Sequence, residues 1–71
     1  MTLARALREL RESRNLLPVD VASRSGLNVR TIERLEAGSI KNPSIQTLIK
    51  IADVYGWDLR TFLRRLDGGT K

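Results

Sequence analysis

The 71-residue sequence predicts an all-α domain, a bundle of five short helices. Three observations lead to this prediction. Apolar residues recur at the spacing of one helix face in five segments, and residues that favour helix ends stand between these segments. No segment shows the alternation of apolar and polar residues that is typical of a strand. The connections between the segments are short, as in compact helical bundles.

The first helix is predicted over residues 2–14. Arg5 and Arg8 fall off its apolar face, so we expect them to be exposed to solvent. Asn15 can end the helix in the left-handed conformation. The apolar residues recur at i, i+3, i+4 and i+7, which places them on one face: Leu3, Ala6, Leu7 and Leu10.

The second helix is predicted over Pro18–Ser25, because proline suits the first helical position. Gly26 follows, where the end of a helix needs a positive φ. The third helix is predicted over residues 29–37, with Asn28 as its N-cap and Gly38 at its end.

The fourth helix is predicted over residues 45–55, after the capping residue Ser44, and the fifth over Leu59–Leu66, after Asp58. The domain is therefore expected to span residues 1–66, and residues 67–71 form a short flexible C-terminal tail. The apolar residues expected on the inner face of the fourth helix are Ile45, Leu48, Ile49 and Ala52.

Composition excludes several classes of function. Cysteine and histidine are both absent, which removes disulfides, thiolate metal sites, the commonest general base and the commonest zinc ligand. The carboxylates stand singly along the helices, so no acid–base pair can be proposed. We therefore expect no enzyme, metal, cofactor or small-molecule ligand. No apolar run approaches the roughly 20 residues of a membrane span, and the segment MTLARALREL lacks the apolar block of a signal peptide. We therefore expect a cytoplasmic protein without a membrane partner.

The net charge is +5 and the isoelectric point is about 10.8, with most of the basic residues being arginine. A basic balance favours a phosphate-bearing partner such as nucleic acid. Charge alone is a weak indicator, because an arginine-rich surface is often only a solvated one.

The second and third helices are joined only by residues 26–28, the length of the turn in a helix-turn-helix. The residues around the turn have the spacing that this motif needs. Ala22 is small where the two helices cross, and Gly26 takes the turn conformation that a side chain resists. Ile32 and Leu35 can fix the third helix to the core.

At these residues the chain resembles the helix-turn-helix domain of the lambdoid phage repressors and Cro proteins, the XRE-like family, which also occurs in many bacterial regulators. The matching segments are LRELRESRNL, ASRSGLNVRTIERLEAG, NPSIQTLIKIADVYG and DLRTFLRRL, and the resemblance covers about residues 3–66. It implies a five-helix bundle of the lambda-repressor-like DNA-binding type. It also implies a regulator of transcription that binds double-stranded DNA in a sequence-specific manner, most simply a dimeric repressor on a palindromic operator.

The resemblance assigns the start of the third helix, the recognition helix, to the major groove of DNA. Arg30 is the leading candidate for base contact, because its planar fork can donate to both O6 and N7 of guanine. Val29 could touch a thymine methyl group, whereas Asn28 either caps the helix or reaches a base or phosphate. Thr31 and Arg34 could contact phosphates, and Arg34 also bases.

Four further residues take roles by the same resemblance. Lys41 and Asn42 match the loop that contacts the DNA backbone in relatives. Arg11 and Glu36 match a pair that forms an interior ion pair in the phage repressors, so they are assigned to structure.

A two-fold dimer also needs an interface, and aromatic residues are enriched at interfaces. The alternative is that the aromatic residues belong to the core alone. The residues expected near the homodimer contact are Trp57, Leu59 and Phe62.

The chain departs from the family pattern at two positions. Relatives often place a glutamine that contacts a phosphate at the start of the second helix, after a serine or threonine cap. Leu17 and Pro18 stand there instead, so this backbone anchor is missing. Ser25 stands where an apolar residue is common, and it either loosens the core or bonds to a nearby carbonyl.

Other functions remain open on the sequence. One is a DNA-binding antitoxin of the same fold, and another is the controller protein of a restriction–modification system. A third is a protein–protein module that has lost DNA binding, which the missing anchor at Pro18 motivates. Gene neighbourhood would separate the two DNA-binding alternatives from a repressor.

Overall fold

The computed structural model describes residues 2–66, and within this range it contains five α-helices and no strand. The all-α prediction is confirmed, and each helix end lies within one residue of the position expected from the sequence. The predicted C-terminal tail lies outside the described residues. No helix within residues 2–66 has the length and apolar character that crossing a membrane requires. The helices are α1 (Leu3–Ser13), α2 (Pro18–Ser25), α3 (Val29–Ala37), α4 (Ile45–Val54) and α5 (Leu59–Leu66).

Local hydrogen bonds fix where the helices begin and end. The side-chain oxygens of Thr2, Ser44 and Asp58 each accept the backbone N–H three residues further along the chain, at 3.2, 3.1 and 2.7 Å. Such caps satisfy donors that have no partner within the helix. Asn15 follows α1 in the left-handed region, with φ of 56°, as the sequence predicted.

The core collects apolar side chains from all five helices. Ile32 and Leu35 of α3 are each 2 % exposed, which confirms that these two residues attach α3 to the core. α3 packs against both α1 and α2, while α5 packs against α1 and α4. The buried apolar residues are Ala6, Leu7, Val21, Ala22, Ile32, Leu35, Ile51, Ala52, Tyr55, Phe62 and Leu66.

The inner face of α4 differs from the prediction in part: Ala52 is buried and Leu48 packs against the core, as expected. Ile45 and Ile49 were expected to face inward, but they are 64 % and 40 % exposed. Two overlapping sets of apolar residues on α4 share the spacing of a helix face. The set that faces the core contains the buried residues Ile51, Ala52 and Tyr55, so Ile45 and Ile49 lie on the flank of the helix.

Phe62 belongs to the core and not to a surface. Its side chain is 0 % exposed and is among the largest fully buried side chains. A second chain could reach the Phe62 side chain only if α5 left the bundle, so the structure agrees with the alternative that Phe62 belongs to the core. Trp57 and Leu59 are half-buried, while Leu63 on α5 is exposed.

A bidentate ion pair joins α1 to α3. Arg11 Nε donates to Glu36 Oε2 at 2.8 Å, and Arg11 Nη2 donates to Glu36 Oε1 at 2.9 Å. Arg11 Nη1 donates to the carbonyl of Leu16, before α2, at 2.7 Å. The hydrogen bond to Glu36 raises the pKa of Arg11, against burial, which lowers it. The pair that the resemblance implied is thus present, and it connects three parts of the chain.

Glu36→Ala is expected to lower the free energy of unfolding by about 3 kcal/mol or more, because it leaves the Arg11 guanidinium buried without its partner. Both side chains of the pair are only 10 % exposed. Urea unfolding followed by circular dichroism measures the loss. The matched control is Glu33→Ala, an exposed glutamate of the same helix, which should change stability by less than about 0.5 kcal/mol. Equal losses in the two variants would contradict a structural role for the pair.

The cap of α5 should make stability depend on pH. The backbone N–H and then the hydroxyl of Thr61 lower the pKa of Asp58 by hydrogen bonding to its carboxylate. A lowered folded pKa means that the stabilisation is present above the unfolded pKa and is lost as the pH falls through the folded one. We therefore expect the melting temperature of wild type to exceed that of Asp58→Asn at neutral pH, with the gap closing from about pH 5 downward. A gap that is constant with pH would contradict the assignment.

Candidate nucleic-acid interface

The turn between α2 and α3 directs the start of α3 towards solvent. Gly26 ends α2 with φ of 78°, and its N–H donates to the carbonyl of Ala22 at 2.9 Å. No atom lies within 4 Å of the position that a Cβ would take at Gly26, so glycine is needed here for its conformation and not for space. Ser25 Oγ lies 3.3 Å from the carbonyl of Ala22 and accepts the N–H of Leu27 at 3.2 Å. The serine hydroxyl therefore stabilises the turn by hydrogen bonds to residues before and after Gly26.

Asn28 caps α3. Its Oδ1 accepts the backbone N–H of Arg30 at 2.8 Å, so the capping role, one of the two that the sequence left open, is present. The cap uses only the oxygen of the side-chain amide, so the Nδ2 donor is not consumed by it. Asn28 can therefore hold the helix and still donate a hydrogen bond to a ligand.

The outer face of α3 is exposed, and its first turn carries no acidic residue. Arg30 and Arg34 are four positions apart, which puts them on one side of the helix. Neither arginine takes part in an ion pair within residues 2–66, and Arg34 is thus not paired with its neighbour Glu33. Because the N-terminus of a helix also has a partial positive charge, this end of α3 suits an anionic ligand.

Apart from Arg34, which lies one turn after Arg30, the predicted DNA-contacting residues fall into two groups at opposite ends of α3. The first group, at the N-terminal end, consists of exposed Asn28 and Arg30 and half-buried Val29 and Thr31. The second group is formed by Lys41 and Asn42, both exposed in the loop between α3 and α4. A nine-residue helix is about 13 Å long, so the two groups can contact different parts of one ligand.

The start of α2 presents an apolar corner. Leu17 and Val19 are 62 % and 55 % exposed, and Pro18 between them has no backbone N–H. The N–H of Leu17 donates to the carboxylate of Asp20 at 2.7 Å, so this amide is already occupied. The position of the expected phosphate anchor therefore offers no donor and stands close to a negative charge. This role of Asp20 was not predicted, although a carboxylate three residues after a helix N-cap is a known signal of a helix start.

No group of three or more His, Cys, Asp or Glu residues in the described part of the chain could hold a metal ion. At the predicted contact residues, the chemistry on offer is mainly hydrogen-bond donation from arginine, lysine and asparagine. Such donors recognise phosphates and the edges of bases.

The comparisons with known proteins agree with this geometry. A family model described as helix-turn-helix matches residues 7–62, which include α2 and α3 entirely. The HTH-type transcriptional regulator DdrOP3 of Deinococcus deserti is 36% identical to the chain over 67 residues, which is 94% of this chain and 51% of that protein. The chain thus spans about half the length of the curated relative that it matches.

Two substitutions test the role of Asn28 as the cap of α3. Asn28→Ala removes the acceptor and should cost about 1 kcal/mol of unfolding free energy, whereas Asn28→Asp keeps an acceptor and should cost much less. Thermal or urea unfolding of the two variants measures the difference. If both lose the same stability, the hydrogen bond from the N–H of Arg30 does not determine where α3 begins.

Proposed function

This chain belongs to the helix-turn-helix family, and from that membership we propose that it binds double-stranded DNA in a sequence-specific manner and regulates transcription. We propose further that it acts as a dimeric repressor on a palindromic operator. The observation that carries the proposal is the start of α3, where exposed Arg30 lies beside a capped helix N-terminus without an acidic residue. The printed name of the relative as a transcriptional regulator supports the same function.

In this proposal α3 enters the major groove with its N-terminal end first. Arg30 donates to O6 and N7 of a guanine, and Val29 contacts a neighbouring thymine methyl group. Asn28 and Thr31, in the same turn of α3, contact the DNA backbone or a base. Arg34, one turn further along the helix, contacts a phosphate or a base. The ion pair of Glu36 with Arg11 lies at the other end of α3 and holds the helix against α1 while its start is inserted.

Lys41 and Asn42 contact phosphates of the backbone beside the groove. Phosphate contacts set the register of the protein on the duplex, and base contacts select the sequence. Because Lys41 and Asn42 come after α3, they hold its C-terminal end close to the duplex. This arrangement is consistent with the exposure of both side chains.

The proposed homodimer uses the surface around α5. Trp57 and Leu59 remain in this assignment, and exposed Leu63 replaces buried Phe62, because Leu59 and Leu63 are four positions apart on one side of the helix. The guanidinium carbons of Arg14 and Arg65 lie 5.4 and 5.2 Å from the centre of the Trp57 ring. A two-fold dimer would place two recognition helices on half-sites about 34–36 Å apart.

Selection of duplexes from a random pool by the wild-type chain tests the proposed function. It should return a palindrome whose half-sites are separated by about one helical turn. Arg30→Ala should then lose about 1–3 kcal/mol of discrimination at one base pair of each half-site, because the bidentate contact is gone. The control Arg60→Ala, which removes the same charge from α5, should keep the discrimination. No enriched sequence, or discrimination that survives Arg30→Ala, would contradict the proposal.

A second candidate function is a protein-binding module, either without DNA binding or combined with it, as in an antitoxin. The apolar corner of Leu17 and Val19 is the observation that favours it. Leu17→Gln with Val19→Gln should abolish co-purification of a stoichiometric partner under this function, while Arg30→Ala should have no effect. If the chain instead binds DNA as proposed above, Arg30→Ala should weaken DNA binding. The double change Leu17→Gln with Val19→Gln should then leave DNA binding unchanged.

A further inference from the structure

A cleft of about 480 Å³ lies between the N-terminal half of α1 and the segment that follows α3. Arg5 and Arg8 of α1 line one wall, and Gly38 and Lys41 lie on the other. The walls approach each other at Gly38, where an added Cβ would lie 3.9 Å from Cβ of Ala4. Two segments that are far apart in the sequence therefore form one surface.

The cleft has an excess of positive charge. Its one lining carboxylate, Glu36, is already bonded by both oxygens to Arg11. Arg5 pairs with Glu9 at 2.9 Å on the surface of α1, so part of its charge is offset. Arg8 and Lys41 form no ion pair within residues 2–66. Exposed and uncompensated cations of this kind attract an anionic ligand.

We propose that this cleft binds a phosphate of the DNA backbone, and that Arg8 is the residue that contacts it. The inference rests on the proposed function and extends its interface to α1. Lys41 belongs both to the cleft and to the loop assigned to the backbone, so the two surfaces are continuous. The cations are exposed and the cleft is open. It therefore suits one phosphate of a polyanion that other contacts also hold, whereas a free anion would need an enclosed site.

The proposed contact at Arg8 would replace the phosphate-binding side chain that the chain lacks at the start of α2. At the start of α2 neither Leu17 nor Pro18 can donate to the DNA backbone, because Pro18 has no N–H and that of Leu17 is bonded to Asp20. The cleft lies at the C-terminal end of α3, next to the loop that contains Lys41. The chain thus holds the backbone from the α1 side of the recognition helix.

The test is the salt dependence of binding to the duplex recovered by selection, compared among the wild-type chain, Arg8→Ala, Arg8→Lys and Arg60→Ala. Each phosphate contact contributes about 0.9 to the slope of log K against log salt concentration. Arg8→Ala should lower the slope by about this amount and weaken binding equally on the selected duplex and on a scrambled one. Arg8→Lys should restore the slope, because it keeps the charge. Arg60→Ala should leave the slope unchanged, although it removes the same charge.

Circular dichroism should show that Arg8→Ala is folded, since alanine favours an exposed helix position. A slope equal to that of wild type, or an equal decrease in Arg60→Ala, would overturn the inference. If Arg30→Ala loses base discrimination while Arg8→Ala is unchanged, only the inference about the cleft fails. If wild type binds no duplex specifically, the proposed function fails and the cleft assignment fails with it.

Discussion

The bidentate ion pair between Arg11 and Glu36 is the interaction on which the candidate interface depends. The Arg11 guanidinium donates to Glu36 of α3 and to the carbonyl of Leu16, so one side chain of α1 fixes both α3 and the chain entering α2. Removing two charges from water is costly, and only good geometry with further hydrogen bonds offsets that cost. The planar arginine fork meets this condition with three short hydrogen bonds.

The ion pair and the core contacts give α3 one face towards the protein and one face towards solvent. Ile32, Leu35 and Glu36 face the protein, so changes at these positions act through stability. Arg30 and Arg34 face solvent and make no ion pair within the described range of residues 2–66, so changes there should alter ligand choice at little cost to the fold. A small domain can thus vary its specificity while its scaffold stays constant.

Local signals predicted most of the fold, and non-local contacts account for what they missed. The caps at Asn28, Ser44 and Asp58 act within one turn, so the sequence indicates them directly. Arg11 and Glu36 are 25 positions apart, and only the resemblance to a family pointed to their pairing.

The features that the sequence did not predict also depend on packing between distant segments of the chain. The exposure of Ile45 and Ile49 depends on which of two apolar faces of α4 packs inward, and the cleft beside Arg8 depends on how α1 meets the end of α3.

We propose that the start of α3 contacts base edges in the major groove of DNA. Nuclear Overhauser effects between the isotope-labelled chain and a selected duplex report such contacts. We expect cross-peaks from the side chains of Val29 and Arg30 to major-groove protons. Cross-peaks confined to α5, with none from α3, would contradict the proposed contact.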